Sequence, residues 1–95
     1  MSRDRFLERQ VEVRNATARL LEAVAEPESA IVRDAVIQRF EFSFELVWKT
    51  LKLYLELTSH AYDEALATRI YRHVAKDYAA LLGAMAQKIQ TLPWE

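Results

Sequence analysis

The sequence predicts an all-α protein, an antiparallel up-down bundle of three long helices. Apolar residues recur at spacings near 3.6 along three stretches. One Gly and two Pro among 95 residues leave almost no turn chemistry for the hairpins of a sheet protein. Two short polar joints, Glu26-Pro27-Glu28-Ser29 and Leu57-Thr58-Ser59-His60, separate the stretches. Joints this short favour antiparallel neighbours.

The first helix is expected over residues 3–25. Phe6, Val13, Leu20 and Val24 recur along one face, flanked by Leu7, Val11, Ala18 and Leu21. Arg and Glu fill the other face, where Arg5–Glu8 and Arg9–Glu12 are i,i+3 pairs of a solvated surface. Pro27 disfavours helical geometry at Glu26, and Ser29 suits the N-cap of the next helix.

The second helix is expected over residues 30–56, roughly 40 Å at about 1.5 Å per residue. Val36, Phe40, Phe44, Val47, Leu51 and Leu55 form its main stripe; Ala35, Phe42, Leu46, Leu53, Trp48 and Tyr54 widen it well beyond one face. A helix this apolar around its circumference is usually touched on several sides. Gln38, Glu41, Glu45, Lys49 and Lys52 fall near a narrow polar strip, in which Glu45–Lys49 offsets the like-charged Glu41–Glu45 pair.

Thr58 or Ser59 is expected to cap a third helix over residues 62–90, with Asp63 and Glu64 suiting the positive end of its dipole. Leu66, Ile70, Val74, Tyr78, Leu82, Met85 and Ile89 make its stripe. Thr91-Leu92-Pro93 ends it, and Trp94 is expected to fold back onto it.

Composition narrows the function. The chain is expected to be one domain over residues 1–95, with an additional partner contact helping a core this small. Absence of Cys excludes disulfides, thiol nucleophiles and thiolate metal sites. Neither a signal-peptide core nor the ~18 apolar residues of a membrane span is present, so a cytoplasmic protein is expected. A net charge of -1 lacks the bulk footprint of a nucleic-acid binder, although a local basic patch is compatible with it. His60 and His73 lack metal-ligand spacing, and the only glycine, Gly83, lies inside the third helix, so neither a metal nor a phosphate-loop cofactor is expected. His60 stands at a helix start, where the dipole favours neutral imidazole, able to act as a base or a hydrogen-bond donor. Read alone, a lone His in a joint is more often a surface or capping residue, and Tyr62 more often a packing residue.

At residues 37–56, IQRFEFSFELVWKTLKLYLE, followed by LTSHAYDE at 57–64, the chain resembles the nucleotidyltransferase substrate-binding family, a branch of the HEPN superfamily. The resemblance implies a small helical protein that forms a complex with a minimal nucleotidyltransferase (MNT), in bacteria or archaea. The superfamily motif is an Arg, four to six residues, a His, one residue and a Tyr; His60 and Tyr62 match its second half. In related HEPN–MNT toxin–antitoxin modules, the HEPN dimer acts as a metal-independent ribonuclease and the transferase can adenylylate the Tyr. That would make His60 the catalytic residue and Tyr62 the AMP acceptor or substrate contact.

This chain departs from the pattern. Leu53, Tyr54 and Leu55 stand where the motif Arg belongs. A helical segment that family members carry before Leu-Thr-Ser-His is missing, so that Glu56 abuts Leu57. Loss of that cation would cost a ribonuclease on the order of a few kcal/mol of transition-state stabilisation, which argues against an enzyme. Lys52, Arg69 or Arg72 are the cations that could replace it. The shortened, HEPN-like bundle then needs another cover for its second helix, most simply a second copy, with Phe40, Phe44, Val47, Trp48 and Leu51 as the dimer or partner face. The expected role is the partner subunit of an MNT; the alternatives are a ribonuclease toxin acting on RNA and a dimerisation scaffold without activity.

Overall fold

The computed structural model describes the backbone of residues 2–59 and 63–94, and the side chains of 3–56 and 63–94. His60 and Tyr62 lie outside the described residues. All regular structure among the described residues is helical. Helix α1 spans Ser2–Ala25, α2 Ala30–Ser59, α3 Glu64–His73 and α4 Ala79–Thr91; a π-helical stretch, Val74–Tyr78, joins α3 to α4 without a break. The result is three long helical stretches, as expected. They divide into two compact units, Met1–Leu57 and Thr58–Glu95.

In the first unit α1 and α2 form an antiparallel hairpin. Ser29 caps α2 as its spacing predicts, its Oγ accepting from the Val32 N–H at 3.1 Å. The register is fixed at both ends. The rings of Phe6 and Tyr54 stack with centroids 5.4 Å apart, and Arg39 Nη1 donates to the Arg19 carbonyl at 2.8 Å. On that register Ala16 falls opposite Ser43.

The seam between the helices differs from the expected stripes. Ala16 and Ala23 are the buried residues of α1, while Val24 is 58% exposed. In α2, Ser43, Leu46 and Thr50 are buried, whereas Phe40, Phe44 and Leu55 of the expected stripe are exposed. Small side chains let two helix backbones approach closely, and α2 has apolar residues on more than one side, so small residues join Leu46 in the seam and the large rings of Phe40 and Phe44 face outward. Thr50 satisfies its hydroxyl by donating to the Leu46 carbonyl at 2.7 Å, but the buried Ser43 Oγ has no hydrogen-bond partner.

The second joint is also placed differently. Helix α2 runs on to Ser59 rather than ending at Glu56, and Asp63 rather than Thr58 or Ser59 caps α3. Asp63 Oδ1 accepts from the N–H groups of Ala65 and Leu66 at 2.9 and 3.3 Å. A carboxylate satisfies those orphan donors and also meets the positive end of the dipole, an advantage a hydroxyl lacks.

In the second unit Ile70 is buried and Leu66, Val74, Tyr78 and Met85 are half-buried; Leu82 and Ile89 of the expected stripe are exposed. The π turn is closed by the Ala79 N–H reaching back to the Val74 carbonyl, five residues away. Helix α4 ends at Thr91 before Pro93, and Trp94 is 99% exposed instead of folding back.

Candidate functional site

Two features of the α1–α2 hairpin stand out chemically. One is a bare apolar face on α2. Counted at about 100° per residue, Phe40, Phe44, Val47, Trp48 and Leu51 share one side of the helix, next to Ile37 and Leu55. Phe40, Phe44 and Trp48 are 54%, 50% and 55% exposed, and Val47 and Leu51 are half-buried. Phe40 and Phe44, one turn apart, stack with centroids 6.0 Å apart. The five residues expected to meet a partner therefore share one side of α2. Its aromatic content is what distinguishes interface patches from ordinary surface.

The second feature lies at the open end of the hairpin. Arg5 and Arg9 of α1 and Lys49, Lys52, Leu53 and Glu56 of α2 line an open cleft of about 230 Å³. Antiparallel pairing brings these residues together, since the register that sets Phe6 beside Tyr54 also sets Arg5 and Arg9 beside the last turns of α2. Of the expected replacement cations, Lys52 thus stands beside Leu53, one of the positions lacking the motif Arg. Arg5 and Arg9 were not legible as site residues from spacing; the signal was available only once α1 and α2 were paired antiparallel. Arg69 and Arg72 belong to the second unit, where they share a face of α3 with Glu64 and Thr68.

The remaining candidates are ordinary surface. Glu45 Oε1 pairs with Lys49 Nζ at 2.9 Å, both side chains well exposed, an interaction worth a few tenths of a kcal/mol at most. His73 Nδ1 lies 3.7 Å from Asp77 Oδ2 across the π turn, and its ring stands 6.5 Å from that of Tyr78. Among the described residues there is no cluster of three or more His, Asp or Glu able to hold a metal ion, and no helix is long and apolar enough to cross a membrane. The described chain resumes at Asp63, directly after the segment that carries His60 and Tyr62.

Comparison with known proteins gives one match. No curated protein and no solved structure matches the chain. A family model described as nucleotidyltransferase substrate binding protein like matches residues 8–58. That segment is more than half of the 95 residues, holds most of the hairpin, the apolar face of α2 and all of the cleft lining but Arg5, and ends two residues before His60. Aromatic α2, its α1 partner and the match coincide: the chain belongs to the nucleotidyltransferase substrate binding protein-like family.

Proposed function

We propose that the protein is the substrate-binding partner subunit of a minimal nucleotidyltransferase in a two-component HEPN–MNT module of the toxin–antitoxin type, and that it works as a homodimer. The observation that carries the reading is the family match over the hairpin, residues 8–58. The exposed aromatic face of α2 supports it, because a subunit built for assembly needs an apolar surface that its own fold leaves uncovered. In this role the chain transfers no nucleotide itself. It presents His60 and Tyr62 to the transferase, with Tyr62 as the acceptor. The Tyr62 oxygen would attack the α-phosphorus of ATP, forming the P–O bond as pyrophosphate leaves and the phenolic proton passes to solvent or a base.

The test is to combine the purified protein with a minimal nucleotidyltransferase and ATP labelled at the α-phosphate. A stable complex is expected, with label on the wild type and none on Tyr62→Phe. Failure to form any complex would overturn the partner role. A complex whose label persists in Tyr62→Phe would overturn the acceptor assignment.

A further inference from the structure

We infer that the cleft at the open end of the hairpin is an anion site that takes the phosphate groups of a small polyphosphate, such as the tail of a nucleoside triphosphate. Four cationic side chains from two helices meet around Leu53, against the single carboxylate of Glu56. Lys49 is already engaged with Glu45. Arg5, Arg9 and Lys52 form no ion pair or hydrogen bond to any described residue. Three cations that share a cleft with so little counter-charge repel one another, and an oxyanion bound among them relieves that repulsion while taking charge-assisted hydrogen bonds from two guanidinium groups. The concentration of positive charge is local, since the whole chain has a net charge of -1.

The lining also limits what the anion is attached to. It contains no aromatic side chain; Phe6 and Tyr54, the neighbours of Arg5 and Leu53 in sequence, are occupied with each other. Grooves for single-stranded nucleic acid combine basic residues with aromatic rings on which bases stack. This cleft supplies the first component and lacks the second, and its volume of about 230 Å³ is that of a compact group rather than a strand. The site therefore reads phosphate and leaves the base unread. It stands on the hairpin alone and holds whether or not a transferase binds.

The experiment is calorimetric titration of the full chain with inorganic tripolyphosphate and, separately, with a short single-stranded RNA. Circular dichroism of each variant confirms that the helices persist. Tripolyphosphate is expected to bind, more weakly as salt is raised. The double variant Arg5→Ala/Arg9→Ala and the single variant Lys52→Ala should each lose roughly tenfold or more in affinity, while Arg14→Ala, elsewhere on α1, should match the wild type. Absence of tripolyphosphate binding at millimolar concentration would overturn the inference. So would equal losses in Arg14→Ala and Lys52→Ala, or binding of RNA that tripolyphosphate fails to displace.

Discussion

Phe44→Ala separates a face made for assembly from one that merely happens to be apolar. Phe40, Phe44 and Trp48 are each about half exposed. For aromatic side chains that bury 150–250 Å² when covered, this leaves on the order of 100 Å² apiece in water. At about 25 cal/mol per Å², covering one such ring contributes about 2 kcal/mol per protomer, hence about 4 kcal/mol in a symmetric dimer where it is buried twice. All three rings together reach about 12 kcal/mol, against an association cost of roughly 4–15 kcal/mol. The face is therefore on the scale a dimer needs, and losing one ring is decisive. Phe44→Ala should weaken the dimer by up to about a thousandfold in Kd. In the folded protomer the same ring is half in water already, so urea unfolding measured below the dimer Kd, where the protomer alone unfolds, should shift by only about 1 kcal/mol. Sedimentation equilibrium over the micromolar range reads the first quantity and the urea midpoint the second. Phe42→Ala is the control, because Phe42 lines the α1 side of the hairpin with Glu12, Asn15 and Arg19. A wild type that is monomeric at micromolar concentration would refute the reasoning. A dimer equally tight in Phe44→Ala, or a variant that no longer folds, would refute it as well.

Two further outcomes concern the scaffold. Ser43→Ala removes a buried hydroxyl with no partner and puts a better helix former in the seam, so it should stabilise the protein by about 1 kcal/mol. On a domain of this size that is a rise of about 4–8 °C in Tm by thermal melting; a fall in Tm would show that the hydroxyl is satisfied in solution. Asp63→Ala takes the acceptor from the Ala65 and Leu66 N–H groups and should cost about 1 kcal/mol. Faster hydrogen exchange confined to the first turn of α3 is the expected signature, and unchanged exchange there would remove Asp63 from the cap.

Much of this fold is legible in the amino-acid order, for identifiable reasons. The scarcity of Gly and Pro and the long 3.6-residue periodicity make three helical stretches, and Ser29 marks the start of α2 because a hydroxyl there meets an orphan N–H. The seam is less legible. Periodicity puts Phe40 and Phe44 in the main stripe of α2, whereas the hairpin closes on Leu46 together with Ala16, Ala23, Ser43 and Thr50, small residues that carry little hydrophobic signal. That Phe40, Phe44, Val47, Trp48 and Leu51 share a side was legible, since one helix fixes which side chains lie together. The basic cleft was not, because Arg5 and Lys52 become neighbours only through antiparallel pairing. His60 and Tyr62 were singled out by the family resemblance rather than by periodicity or spacing.

The π turn has a consequence for how the second unit tolerates change. In an unbroken α-helix Met85 would stand about 100° around from Leu66, counting about 100° per residue. One extra residue absorbed at Val74–Tyr78 cancels that offset, and the buried Ile70 and the half-buried Leu66, Val74, Tyr78 and Met85 stay in phase. Chain length through this stretch is thus tolerant in one direction only. Deleting Ala75 or Lys76 would let the helix heal into regular pitch with Ala79 to Thr91 still on the side they now present, whereas inserting a further residue would swing that segment about 100° away.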